Sequence, residues 1–352
     1  MFILFAMKKR ILFAIFLILI IIAGFFAWKI FGPGVANPQS KYFYIHTGDD
    51  LATVKENLIL EKMISGNQFD LVSKILKYKN PKPGRYTVKD GTSLFKLVRL
   101  LRSGNQSLVK VVIIKERTPE GLASKFGMGK KFDCECDSAD IAGFLTDNEA
   151  LKAFSADTNT AKAQVMPYTY EIKWNSTAKE VFQHFNTAFK KFWNDERKAK
   201  ADSLQLTPYK VITLASIVEE ETNDKSDKLN VASTYLNRVR TGMKLQADPT
   251  VKFAMKNFGL KRVTGAHLKT DSKYNTYMYA GIPPGPICTP SINSIEAVLN
   301  APQTDYLYFV ASSKFDGSSV FTTNYSDHLK YAREYQRELT RRMDSARKAR
   351  TP

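Results

Sequence analysis

Ile11 to Trp28 is a run of 18 residues without a charge, and Lys8, Lys9 and Arg10 stand immediately before it. A helix of that length rises about 27 Å, close to the hydrocarbon thickness of a bilayer. The competing reading is a cleaved secretory signal, whose apolar region is typically about 7 to 15 residues long and ends on small residues in an A-x-A pattern. This run ends on Trp28 and Lys29 instead, so it reads as an uncleaved membrane anchor. Basic residues ahead of an anchor place the N-terminus in the cytoplasm. Everything after about residue 32 is then expected outside the membrane, and any chemistry is extracytoplasmic.

That topology decides how the net charge of +18, from 52 Lys and Arg against 34 Asp and Glu, should be understood. Nucleic acid is excluded as a partner, since no recognition motif accompanies the charge and the chain is exported. Basic residues are spread over Lys74 to Lys82, Lys190 to Lys200 and Arg341 to Arg350, as solvated faces beside an anionic bilayer would be. The three cysteines include the pair Cys134 and Cys136, whose mutual bridge would be strained, so one or more thiols are expected free. The four histidines show no H-E-x-x-H spacing and the cysteines no C-x-x-C spacing, and no metal or other cofactor is expected.

Patterning after the anchor predicts an α+β protein. "GPGVANPQS" reads as a linker, "KYFYIHT" as a strand, and "DLATVKENLILEKMI" and "GNQFDLVSKILKY" as helices. "GRYTVKDG" is a strand and turn, followed by a helix in "TSLFKLVRLLRSG" capped by Thr92 or Ser93 and ended by Gly104. A strand in "SLVKVVIIKE" and one long amphipathic helix over 175–202 come next. Thr207 and Pro208 start a helix that runs through "VITLASIVEEET"; a second carries an apolar stripe of Leu229, Ala232, Leu236 and Val239. Residues 245–292 read as a long loop, rich in tyrosine and proline and so more functional than disordered. The divisions predicted are 1–32 anchor, 33–107 a small α+β subdomain, 108–202 a connecting α+β region and 203–346 a mixed helix-and-strand domain.

Within "ITLASIVEEET" the apolar residues cover nearly every direction of a helical wheel, which predicts a buried helix. Glu219 falls on the face of Ile212 and Ala215, and Glu221 on that of Leu214 and Val218. Glu220 falls with Ser216 and is expected to be solvated. A carboxyl emerging from an apolar wall should have a raised pKa and remain protonated, as a general acid near neutral pH requires. The same residues fit a helix end that simply reaches solvent. Tyrosine, asparagine, glutamine and proline in the 245–292 loop suit a sugar-binding groove, or equally a packed cap over a helical core.

"LASIVEEET", "LNRVRTGMKLQADPTV", "YNTYMYAGIPPGPI", "DYLYFVA" and the late Phe321 and His328 resemble, in order and spacing, the endolytic murein transglycosylases, the MltG or YceG-like family. The resemblance includes the anchor and a LysM-like subdomain in "GRYTVKDGTSLFKLVRLLRSG". It implies a single-pass protein of the bacterial inner membrane whose catalytic domain, 203–346, carries a loop-rich glycan groove. The activity implied is non-hydrolytic cleavage inside peptidoglycan strands, at the MurNAc-GlcNAc β-1,4 bond, leaving a 1,6-anhydro-MurNAc end and terminating strand growth. Peptidoglycan strands are the implied substrate and peptidoglycan synthases are candidate partners. Glu219 matches the family's catalytic glutamate, and Gln246, Asp248, Tyr274, Asn275, Thr276, Tyr277, Pro284 and Glu221 are the implied substrate-binding residues. Departures from the family pattern fall at Tyr168, in "KERTPEG", and at Cys288, Thr289 and Ser291.

The residues and the resemblance meet on one chemical point. Hydrolytic glycosidases ordinarily use two carboxylates, about 5 Å apart or farther to admit water. A lytic transglycosylase needs one, because the attacking 6-hydroxyl belongs to the same sugar. Two alternatives remain open at this level: a tethered peptidoglycan-binding scaffold without catalysis, and a hydrolytic muramidase.

Overall fold

The computed structural model describes residues 2–35, 40–64 and 68–348. Residues 36–39 of the expected linker, and residues 65–67 ahead of the third helix, lie outside them, as do the extreme termini. The described chain divides into two compact units, and neither is continuous in sequence. One comprises 1–110, 127–136 and 171–177, and the other 111–126, 137–170 and 178–352. The stretch 108–202, expected as one connecting region, is shared between them.

In the first unit, α1 (Phe2–Phe31) includes a span from Arg10 to Phe31, 22 residues, long and apolar enough to cross a membrane. β1 (Tyr42–Ile45) pairs antiparallel with β2 (Gly84–Thr87), and α2 (Leu51–Leu60) and α3 (Gln68–Ile75) lie between them in sequence. Phe43 and Ile45 alternate inward along β1, as a half-buried strand requires. Asp50 caps α2 by accepting from Thr53 N. On α4 (Leu94–Ser103), Ser93 accepts from Lys96 N, and Gly104 adopts φ 72°, a left-handed stop that costs glycine little. Leu94, Leu97, Val98 and Leu101 form the buried face of α4 and pack with Phe43, Val54, Leu58 and Phe69. Trp174, fully buried, lies 5.0 Å from the Tyr44 ring in the same unit.

The chain passes into the second unit at β3 (Val109–Val112), and α5 (Pro119–Ala123), α6 (Ser138–Leu145) and α7 (Asn148–Lys152) precede β4 (Thr169–Ile172). The long helix expected over 175–202 is two helices, α8 (Ala178–Phe192) and α9 (Asp195–Ser203). Asn194 causes the break: it leaves helical geometry and its side chain accepts from Arg197 N as the cap of α9. Arg197 Nη1 in turn donates to the Phe192 carbonyl at 3.1 Å, satisfying a group freed at the end of α8.

α10 (Pro208–Glu221) is the central element. Thr207 caps it by accepting from Lys210 N, Pro208 occupies its first turn, and every residue from Val211 to Val218 is buried. It packs with Val231, Ala232 and Tyr235 of α11 (Lys225–Arg240) and with Ile295, Val298 and Leu299 further along the chain. A truncation such as Leu214→Ala inside this cluster would cost about 2–5 kcal/mol.

Three of the four residues of the stripe expected on α11 face inward, Ala232 buried and Leu236 and Val239 packed against the core. Leu229 is exposed, while Val231, Tyr235, Asn237 and Arg238 are buried. That inward face is largely polar and works by hydrogen bonding: Ser233 donates to the Pro302 carbonyl, Asn237 to those of Thr304 and Tyr306, and Arg238 to that of Leu307. A count of apolar residues does not register such a face.

Part of the 245–292 loop is helical, as α12 (Asp248–Ala254) with Pro249 in its first turn. After α13 (Ile292–Leu299), β5 (Tyr308–Ala311) and β6 (Ser319–Thr322) form an antiparallel hairpin with Tyr308 opposite Thr322. Its tip turns through positive φ at Phe315 and Gly317. The Phe315 ring stacks 5.0 Å from Tyr335 on the closing helix α14 (Tyr325–Lys348).

Candidate active site

The C-terminal end of α10 carries Glu219, Glu220 and Glu221 to the wall of an open cleft of about 600 Å³. Lys115 and Arg117, Asp224 before α11, and Asp316 and Gly317 at the hairpin tip complete the walls.

Glu219 is held by one oxygen. Its Oε2 accepts from Lys228 Nζ at 2.9 Å, Ser291 Oγ at 2.6 Å, Ser294 Oγ at 2.5 Å and Ser291 N at 3.3 Å. Among the described residues no donor reaches Oε1. Ser291 is the cap of α13, so the carboxylate sits at a helix N-terminus, where N–H groups and the helix dipole favour an anion. Burial pushes the Glu219 pKa up, but the Ser291 and Ser294 hydroxyls and the Lys228 ammonium outweigh it and hold the group below its ordinary value. The apolar wall does not keep Glu219 protonated, as its sequence context suggested. The donors that reverse the effect come from α11 and from the start of α13, outside the 212–222 stretch.

Glu220 is not solvated. Its side chain is 16% exposed and forms ion pairs with Lys115 Nζ at 2.9 Å and Arg117 Nη2 at 3.0 Å. A wheel drawn on α10 places it beside Ser216, but the strap at 115–117 packs over that side and supplies two cations. Burial opposes ionisation of Glu220, and Arg117 and Lys115 overcome that and lower its pKa. The strap is tied down as well: Glu116 N donates to Thr289 Oγ1 at 2.8 Å, and Lys162 Nζ to the Arg117 carbonyl at 2.6 Å.

Glu221 behaves as an apolar setting predicts. Burial pushes its pKa up to about 7, partly relieved by a hydrogen bond from Tyr235 Oη to its Oε1 at 2.7 Å, with the charge of Asp248 adding to the rise. Tyr277 Oη donates to Asp248 Oδ1 at 2.7 Å.

The other residues implied for substrate binding separate into two groups. Gln246, Asp248 and Pro284 are exposed, and Tyr274 and Tyr277 are half-buried. Asn275 and Thr276 are buried and hold the loop together. Asn275 Nδ2 donates to the carbonyls of Leu268 and Thr270, and its Oδ1 accepts from Tyr277 N. Thr276 Oγ1 accepts from Ala247 N and bonds to Thr250 Oγ1. Sequence reasoning did not single out Lys228, Ser294, Lys115 or Arg117. The serine spacing in "PSINSI" was a usable signal for a helix start, though not for what that start would hold.

The YceG-like family model matches residues 43–334. The endolytic murein transglycosylase of Bacillus subtilis is 40% identical over 138 residues, 39% of this chain and 38% of that protein. The endolytic murein transglycosylase of Streptococcus pneumoniae is 25% identical over 92% of this chain and 64% of its own length. The matched region thus spans less than two thirds of either relative. A crystal structure of a yceG-like protein from Listeria monocytogenes shares the fold, with a TM-score of 0.52 and 24% identity, over 82% of this chain and 97% of that one. With the family model covering most of its length, including the cleft, the chain belongs to the YceG-like family.

Proposed function

We propose that this chain is a membrane-anchored lytic transglycosylase that cuts peptidoglycan strands internally, with Glu219 as both acid and base. The observation that carries the proposal is the cradled Glu219 at an open cleft, one oxygen fixed and the other, among the described residues, without a hydrogen-bond donor. The names borne by the Bacillus and Streptococcus relatives support the same reaction.

Protonated Glu219 gives its proton to the glycosidic oxygen, and the bond from that oxygen to C1 of the muramic sugar breaks. The substrate acetamide holds the cationic carbon. The carboxylate then takes the proton of the 6-hydroxyl as the 6-oxygen bonds to C1, closing the anhydro ring. One proton leaves the carboxyl and one returns, and no water is consumed. Because Glu219 rests ionised, it takes up a proton before the first step. A sugar filling the cleft removes water from the carboxyl and acts in the direction in which burial already pushes.

The other carboxyls of the cleft have local tasks, which supports a single-carboxylate mechanism. Glu220 is paired with Lys115 and Arg117, Glu221 is bonded to Tyr235, Asp224 caps α11 and Asp316 bonds Ser318 in the hairpin. Gln246, Asp248, Tyr274, Tyr277 and Pro284 are the proposed glycan contacts. The LysM-like reading of the first unit is supported by its strand, helix, helix, strand order and antiparallel sheet, and a positioning role suits it. Lys8, Lys9 and Arg10, at the head of the apolar span of α1, support an N-terminus in the cytoplasm and a cleft outside the inner membrane, where peptidoglycan synthases are candidate partners.

The test is digestion of purified sacculi, with mass spectrometry of the products. Anhydro-ended fragments are expected from the wild-type protein and none from Glu219→Gln at unchanged melting temperature. Reducing ends, heavier by one water, would identify a muramidase; binding without digestion would identify a scaffold.

A further inference from the structure

We propose that Lys228, Ser291 and Ser294 are positioning residues for Glu219: by occupying Oε2 they confine its proton traffic to Oε1. The proposal rests on the reading of Glu219 as the acid and base. A carboxylate has about four lone-pair sites over its two oxygens, roughly two on each. Three side-chain donors and one backbone N–H, at 2.5 to 3.3 Å, converge on Oε2 alone. A proton could enter there only by displacing a donor, and these donors are not free to leave. Lys228 and Ser294 are buried, and Ser291 is fixed as the cap of α13, accepting from Ser294 N. Two elements, α11 and α13, therefore grip the same atom and fix how the side chain leaves α10.

Lys228 has a second effect, on charge. Around the cleft, Glu220 is neutralised by Lys115 and Arg117, and Glu221, Asp224 and Asp316 add only further carboxyls. The Cys288 thiol, packed behind α10 with its sulfur on the Ser216 carbonyl, supplies no positive charge. Among the described residues Lys228 is the cation paired with Glu219. Without it the carboxylate would be partly buried among like charges, so its protonated form would gain.

The direct test is titration of the Glu219 side-chain carbon by 13C NMR in full-length protein without glycan, with the resonance assigned by its loss in Glu219→Gln. Lys228→Met should raise the midpoint by about 1 to 3 pH units, the usual effect of a charge at this distance. Ser294→Ala should raise it by less, and Lys228→Arg should restore most of the wild-type value. Since cleavage uses the protonated form, the descending limb of kcat/KM against pH should move upward by the same amount in Lys228→Met.

An unmoved midpoint in folded Lys228→Met overturns the proposal. If that variant does not fold, an unmoved midpoint in both Ser294→Ala and Ser291→Ala does so. The two readings fail separately. A shifted midpoint in a protein that makes no anhydro ends overturns the reaction, whereas anhydro ends with an unmoved midpoint overturn only the positioning.

Discussion

The guanidinium of Arg117 takes both oxygens of Glu220, Nε to Oε1 at 3.1 Å and Nη2 to Oε2 at 3.0 Å. This two-point contact joins the 115–117 strap to the end of α10 one residue from Glu219. A planar fork matched to a carboxylate fixes direction as well as distance.

Glu220→Gln is therefore expected to loosen one wall of the cleft and leave Lys115 and Arg117 facing each other uncompensated. Since Arg117 is 43% exposed, solvent screens the pair and the cost should be only about 1 kcal/mol. Its pH dependence is the sharper readout. With a folded pKa below the ordinary 4.5, Glu220 contributes stability that is full above that value and is lost as pH falls below it. Urea midpoints at pH 7 and pH 4 should differ less in Glu220→Gln than in the wild type.

Glu221 has the opposite sign. A carboxyl raised from 4.5 to about 7 favours the folded state below pH 4.5 and loses that contribution as pH rises to about 7. Glu221→Gln, which keeps an acceptor for Tyr235, should remove that decline. Relative to wild type the variant should gain on the order of 1–3 kcal/mol at pH 8 and little at pH 4.5. Melting temperatures of both proteins across that range check it; parallel curves would refute it.

Gly285 sits where the "GIPPGPI" segment passes the Asn159 backbone, and a Cβ there would collide with the Asn159 carbonyl and lie 3.1 Å from Tyr274 Oη. Gly285→Ala should cost about 1–3 kcal/mol by overpacking. A shift in the denaturation midpoint measures it, and no shift would mean that the Asn159 loop yields freely.

Several features were legible because their causes are local. Thr207 and Pro208 mark the start of α10, and Ser93 and Gly104 bracket α4, since caps and stops act within one turn. The buried character of α10 followed from apolar residues on all sides. The break at Asn194 was masked by an amphipathic pattern continuing through it, and the polar part of the inward face of α11 by its composition. At the site, the position of Glu219 on α10 was readable and its ionisation was not. The former depends on residues three or four positions away, the latter on Ser291 and Ser294, some seventy residues downstream. Asn275 and Thr276 look like sugar-binding residues in a string of letters. Only a folded loop reveals that their polar atoms are already engaged.

The walls of the cleft come from Lys115 and Arg117, the end of α10, and Asp316 and Gly317, so they span about two hundred positions of the chain. The glutamates leave the ribosome roughly a hundred residues before the hairpin tip that faces them. A nascent chain can therefore display all three carboxyls without possessing a cleft. The site has a birth time, after synthesis of the hairpin, and a chain stalled before residue 316 would carry its carboxyls with one side of the cleft missing.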